Sequence, residues 1–125
     1  MRNYIAFSFL LLVGIISLSA SSKSDKLIGK WEAYKMVKNG KTRDASKERN
    51  VPWLEFSEEN VLWVGEGTKD KKRGEWMLDE DNKTIYTTLK RKELTLIIER
   101  LTKKKLVVRM EERNRKMKIF LKRIS

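Results

Sequence analysis

The 125-residue chain has no cysteine and no histidine, and only one proline. The lack of cysteine excludes a disulfide framework, so any folded domain must be held by its apolar core. The lack of histidine removes the commonest general base and metal ligand. Without either residue, Cys-His zinc sites and the usual acyl-transfer triads are excluded. We therefore expect a protein that is not an enzyme, with no catalytic residue, no cofactor and no metal site.

The N-terminal segment has the pattern of a secretory signal peptide, which we assign to residues 1–20. Arg2 gives a positive start, residues 5–16 are almost wholly apolar, and residues 17–21 are mostly small. The apolar run is shorter than the roughly 20 residues that a membrane-spanning helix needs, which favours cleavage over an uncleaved anchor. We expect an exported protein, periplasmic or secreted, with a short polar linker at 21–26, a single domain at 27–125 and no transmembrane span after cleavage.

The remainder of the chain divides into eight segments rich in tryptophan, valine, isoleucine, threonine and tyrosine, separated by charged or Gly/Asn-containing turns. Several alternate with period two, as Leu106, Val108 and Met110 do, which places one face on a core and one in water. Short connections favour antiparallel neighbours. The sequence predicts an all-β, antiparallel up-and-down meander closing into an eight-stranded barrel. The segments are 30–37, 51–56, 61–65, 74–78, 84–89, 94–101, 106–111 and 116–124.

One segment, 94–101, also fits a helix, because it has apolar residues that would share a helical face, namely Leu94, Ile97, Ile98 and Leu101. That assignment would make the domain α+β. The β-branched residues of this segment and the short turns on both sides of it favour a strand.

Residues 29–31, Gly-Lys-Trp, resemble the Gly-x-Trp that opens the first strand of lipocalin-like domains. The long connection 38–50 follows the same strand, and the patterns at 53–56 and 74–79 resemble small bacterial exported lipocalin-like domains of the calycin type. The resemblance implies a barrel with its open mouth at the long connection, and a closing Arg123 whose guanidinium packs over Trp31. From the residues alone, Trp31 could equally be an ordinary core side chain and Arg123 a solvated end charge. The chain is shorter than classical lipocalins and lacks the helix that follows their barrel.

The net charge of +12, or +11 without residues 1–20, is distributed unevenly if the meander is correct. Loops at one end have a net charge of +9. It comes from five basic and two acidic residues at 38–50, four basic and two acidic residues at 66–73, three basic residues at 90–92, and two basic residues and one acidic residue at 112–115. The other end has a net charge of −1 from 57–60, 79–83 and 102–105. A cleft lined by one sign of charge attracts the opposite sign. The candidate basic mouth consists of Lys38, Lys41, Arg43, Lys71, Lys72, Arg73, Lys90, Arg91 and Lys92.

These features lead to one main hypothesis, a binding protein for an anionic small molecule or lipid such as a fatty acid, a lipid headgroup or an acidic glycan. The alternative for the mouth is that its lysines serve solubility and prevent edge pairing. The alternative for the inward residues is a packed core without a pocket. The candidate pocket residues, selected by strand parity, are Trp31, Leu54, Phe56, Trp76, Ile85, Leu96, Val108, Met110 and Ile119.

Two other classes of function fit the composition. An interaction or inhibitor protein of the cell envelope would use its basic surface on an acidic protein partner, with no internal ligand. Nucleic-acid binding would use Trp53, Trp63, Trp76 and Tyr86 among the basic residues, but export argues against nucleic acid as a partner. The sequence gives no oligomeric state.

Overall fold

The computed structural model describes residues 23–68, 71–112 and 115–125. The predicted signal peptide lies outside these residues. Among the described residues, no helix has the length and hydrophobicity required to cross a membrane. The predicted polar linker overlaps a short helix, α1 (Lys23–Leu27), which ends in the fully buried Leu27.

The described residues form nine β-strands. They are β1 (Gly29–Lys38), β2 (Lys41–Arg43), β3 (Pro52–Ser57), β4 (Val61–Glu66), β5 (Lys72–Leu78), β6 (Thr84–Leu89), β7 (Lys92–Leu101), β8 (Lys105–Glu112) and β9 (Arg115–Arg123). Each of the eight predicted segments matches a strand within two residues at either end. The segment 94–101 lies in β7, so the α+β alternative is wrong.

The strands form an antiparallel meander that closes into a barrel. Strands β3 to β9 pair in chain order, and β1 pairs with both β3 and β9, which closes a ring of eight. The predicted up-and-down eight-stranded barrel is thus confirmed. Strand β2 is an addition that the sequence did not predict, and it pairs with the last three residues of β1.

The barrel has two different ends. We call the end with the β1–β2, β4–β5, β6–β7 and β8–β9 connections the open end, and the other, next to α1, the closed end. At the closed end, Phe56 and Trp76 pack edge to face with centroids 5.1 Å apart. The Trp31 indole donates to the Leu27 carbonyl at 2.9 Å, and the Trp76 indole donates to the Ser57 carbonyl at 3.0 Å. Large aromatic side chains with satisfied N–H groups therefore fill this end.

The regular pairing of β1 is interrupted in its middle. Its ladder with β3 ends at the Glu32–Trp53 pair, and its ladder with β9 contains a bulge at Tyr34. A bulge bends its strand and increases the local twist. The upper half of β1 is thereby paired with β9 and β2 instead of β3, and this break lies beside the cavity described below.

Candidate functional site

The barrel contains a cavity of about 630 Å³ that reaches the open end. Its wall is formed by one side of the barrel, from β9 through β1, β3 and β4 to β5. Among the described residues of this wall, Glu66 and Lys72 carry a charge, and most of the rest are apolar. The lining residues are Ala33, Met36, Pro52, Trp53, Leu54, Val64, Gly65, Glu66, Lys72, Ile119 and Leu121.

The position of the cavity follows from side-chain size and from strand pairing. Ala33 and Val64 are small inward residues, whereas Trp31, Phe56 and Trp76 crowd the opposite end. Pro52, which has no backbone N–H to donate, lies next to the last β1–β3 pair. Small side chains and a ladder that stops early leave space along this side of the barrel.

The structure separates the nine candidate pocket residues into three groups. Leu54 and Ile119 line the cavity. Met110 packs against the core without lining the cavity. The other six belong to the buried core and are Trp31, Phe56, Trp76, Ile85, Leu96 and Val108. Strand parity selected inward-facing residues, but it did not separate the filled layer from the empty one.

Glu66 and Lys72 are two residues of opposite charge that lie in the same cavity wall, which was not predicted from the sequence. Lys72 is the Cα partner of Val64 across the β4–β5 ladder, and Glu66 is two residues beyond Val64 on the same face. Both residues are exposed to solvent at the mouth. Within the described part of the chain, no ion pair joins them to each other or to another residue. The inward position of Glu66 could have been predicted from strand alternation, because Glu66 continues the inward face of β4 after Leu62 and Val64.

The other basic-mouth residues surround the open end without converging on one point. Arg43 lies 3.8 Å from a Glu48 carboxylate oxygen, and the Lys71 ammonium lies 4.3 Å from the Trp63 ring centroid on the outer wall. Arg73 lies opposite Trp63, also on the outside. Of the nine, only Lys72 belongs to the cavity wall. Lys38 and Lys41 flank the β1–β2 turn, and Lys90, Arg91 and Lys92 lie at the β6–β7 turn.

The β6–β7 turn has an unusual backbone for its sequence. Lys90 and Arg91 connect the Leu89–Lys92 pair with φ angles of 51° and 67°. Two-residue hairpins with positive φ at both positions strongly prefer Asn-Gly, because bulky L-residues are strained there. The β1–β2 hairpin of this chain has that preferred pair, Asn39 and Gly40, at φ angles of 50° and 84°. Two basic residues thus occupy a strained turn at the mouth.

The long first connection is anchored to the barrel. Ala45 is fully buried in the core cluster, at the start of a single 3₁₀ turn. The Asp44 carboxylate accepts from the backbone N–H of Ser46 at 3.0 Å and from its hydroxyl at 2.5 Å. The hydrogen bond from the Ser46 hydroxyl, followed by that from its N–H, holds the pKa of Asp44 below its ordinary value despite opposing desolvation. The connection therefore has a fixed attachment point beside the open end.

Arg123 and Trp31 interact at the closed end, away from the cavity. The guanidinium carbon lies 4.3 Å from the indole centroid. The guanidinium also donates to the Lys103 and Ile28 carbonyls, each at 2.7 Å, and to the Lys26 carbonyl. Arg123 thus joins α1, the start of β1 and the β7–β8 turn.

The outer wall over β9, β1, β3 and β4 has aromatic rings, each covered by a lysine. The ammonium-to-centroid distances are 4.1 Å for Lys30 over Trp53, 4.5 Å for Lys35 over Phe120 and 4.3 Å for Lys105 over Tyr34, in addition to Lys71 over Trp63. Such contacts occur about once per 70–80 residues in proteins, so this wall is rich in them.

Comparisons with protein-family models, with curated proteins and with solved structures give no match to this chain. The class of the protein is therefore assigned from its fold and its cavity. It is a small antiparallel eight-stranded β-barrel with a mostly apolar cavity at a basic end.

Proposed function

We propose that the chain is an exported, non-enzymatic, lipocalin-like binding protein that holds a single-chain amphiphile, with an anionic group in its head, in the barrel. The apolar part of the ligand lies in the cavity, and its anionic group lies at the basic mouth. The observation that carries this proposal is the cavity of about 630 Å³, whose mostly apolar wall contains Lys72 where it reaches solvent. Pockets for small ligands are generally about 300–1,000 Å³, apolar and equipped with a few polar groups.

The energetics make the contact with the anionic group decisive. Transfer of about ten methylene groups from water yields roughly 8 kcal/mol. Association itself costs on the order of 4–15 kcal/mol. Because these terms are similar in size, an apolar chain alone binds weakly, and attraction between the head and the mouth determines whether the affinity is useful.

The strained β6–β7 turn supports a binding role for the mouth. Lys90 and Arg91 occupy positions where asparagine and glycine would be more stable. Residues in such conformations cluster at ligand-binding sites. A purely solubilising charge could be placed on any exposed position without this cost.

The proposal is tested by reversing charge at each end of the barrel. Lys90→Glu with Arg91→Glu changes the open end, and Lys103→Glu with Lys104→Glu makes the same charge change at the closed end. Isothermal titration with dodecyl phosphate should show about a tenfold loss of affinity for the first variant at low salt and a smaller loss at physiological salt. The closed-end variant should stay within about twofold of the parent. Equal losses in both variants, or none in either, would contradict the proposal.

A second candidate function is surface binding of an acidic envelope protein with no internal ligand. The lysine-covered aromatic rings of the outer wall favour it, because aromatic residues are enriched at protein interfaces and a basic surface attracts an acidic partner. The discriminating experiment is capture from an envelope fraction by the parent and by the Lys35→Glu, Lys105→Glu variant. A stoichiometric acidic partner lost only in the variant would support this function, whereas equal capture by both would exclude it for this wall.

A further inference from the structure

Glu66 and Lys72, the charged residues in the described part of the cavity wall, have opposite signs, and this narrows the class of ligand. We propose that the head of the ligand is zwitterionic, with an anionic group held by Lys72 and a hydrogen-bond-donating ammonium held by Glu66. This inference rests on the proposed function, since it requires that an amphiphile occupies the cavity.

The geometry of the β4–β5 ladder places the two groups for joint recognition. Lys72 lies directly across from Val64, and Glu66 follows on the same face. Such diagonal neighbours in an antiparallel pair have Cα atoms about 7–8 Å apart. The two side chains are not joined in an ion pair among the described residues, although both are at the cavity. A head group with two charges can therefore lie against both side chains at once.

The chemistry of Glu66 argues against a purely anionic head. An ionised carboxylate only accepts hydrogen bonds. An anion bound to Lys72 alone would approach this carboxylate, be repelled by it and remove part of its water. An ammonium supplies up to three donors and the opposite charge, so it satisfies Glu66 while the anionic group satisfies Lys72.

The test uses lauroyl lysophospholipids that share one chain and one phosphate and differ in the rest of the head. The ethanolamine lipid has an ammonium that donates hydrogen bonds, the choline lipid has a cation that cannot, and the glycerol lipid has no cation. Titration calorimetry should give the tightest binding for the ethanolamine lipid, by about threefold or more over each of the others. Free phosphoethanolamine, which has the head without a chain, should show no measurable binding, and equal affinity for it would overturn the amphiphile assignment.

Substitutions make the test specific to Glu66. Glu66→Gln should weaken binding of the ethanolamine lipid and strengthen binding of the glycerol lipid, each by about threefold, because one attraction and one repulsion are removed together. Lys72→Met should weaken all three lipids. Glu75→Gln makes the same change on the outward, exposed face of β5 and should leave the preference unchanged. Thermal unfolding of each variant establishes that it is folded.

The outcomes separate this inference from the proposed function. If the three lipids bind with equal affinity, or if Glu66→Gln shifts the ethanolamine and glycerol lipids in the same direction, the zwitterion assignment is overturned while a cavity for amphiphiles stands. If none of the lipids and no dodecyl phosphate binds to the folded parent protein, the proposed function fails and this inference fails with it.

Discussion

Replacing Arg123 by methionine should strongly destabilise the barrel. The guanidinium stacks on the fully buried Trp31 and donates to three backbone carbonyls, two just before β1 and one in the β7–β8 turn. Gly29 is next to it, with φ of 140°, and a Cβ there would collide with the guanidinium. Methionine keeps an apolar side chain over Trp31 but removes every donor.

The magnitude can be worked out contact by contact. The cation–π contact is worth about 1–2 kcal/mol when it is partly desolvated. Loss of the charged donor to the part-buried Ile28 carbonyl costs about 1.5–3 kcal/mol. The other two hydrogen bonds are exposed, so water replaces them at little cost. Some packing by the methionine offsets part of this, and we expect a loss of about 3 kcal/mol and a fall in Tm of roughly 12–24 °C.

The assay is urea unfolding followed by tryptophan fluorescence, with Lys122→Met as the matched control. Lys122 is the exposed neighbour on the same strand, and its replacement should change the free energy of unfolding by less than about 0.5 kcal/mol. Arg123→Lys, which keeps the charge but loses the planar fork, should fall between the two. A loss below about 1 kcal/mol for Arg123→Met would show that this residue does not hold the closed end together.

Three further predictions concern local structure. Lys90→Asn with Arg91→Gly should raise the free energy of unfolding by about 1–2 kcal/mol, because it relieves two strained φ angles; a lower urea midpoint would contradict this. Gly65→Ala should lower the free energy of unfolding by about 2 kcal/mol and shift tryptophan emission to the red, because the alanine Cβ would lie 2.6 Å from the Trp53 ring. An unchanged emission spectrum and urea midpoint would contradict this packing. The backbone N–H of Lys83 donates a hydrogen bond to the Asp81 carboxylate and lowers its pKa in the folded protein. Asp81 therefore stabilises the fold above about pH 4, where aspartate is also ionised in the unfolded chain. This stabilisation is lost as the pH falls through the pKa of Asp81 in the folded protein. Asp81→Ala should therefore be less stable than the parent at neutral pH, with a difference that vanishes in acid; a constant difference would contradict the assignment.

The strand order was predictable because local alternation and short turns agree with the barrel. In β7, Thr95 and Ile97 face outward while Leu94 and Leu96 face inward. This alternation at every second residue is that of a strand and not of a helix. Strand β2 escaped prediction because its three residues are all exposed and polar, and they show no alternation of hydrophobicity. The Asn39-Gly40 signal before it was the available indication of a hairpin.

The site was less predictable because parity assigns a face and not a layer. Phe56 and Ile119 both carry inward parity, yet the first fills the closed end and the second lines the cavity. Which layer remains open depends on where the β1–β3 ladder ends and on the small size of Ala33, and both depend on the three-dimensional structure. Glu66 was counted among loop charges, whereas β4 continues through it and brings it to the cavity wall.

Filling the cavity with a large side chain shows whether it holds the apolar part of a ligand. Val64→Trp places an indole in the cavity wall, and Thr95→Trp places the same group on the exposed outer face of β7 as the control. In titrations with dodecyl phosphate, we expect one site in the parent and in the Thr95→Trp variant. A folded Val64→Trp variant should lose at least tenfold in affinity, because the apolar chain of the ligand loses on the order of 1.4 kcal/mol or more of apolar contact. Equal affinity in all three proteins, or no binding to the parent, would contradict binding in the cavity.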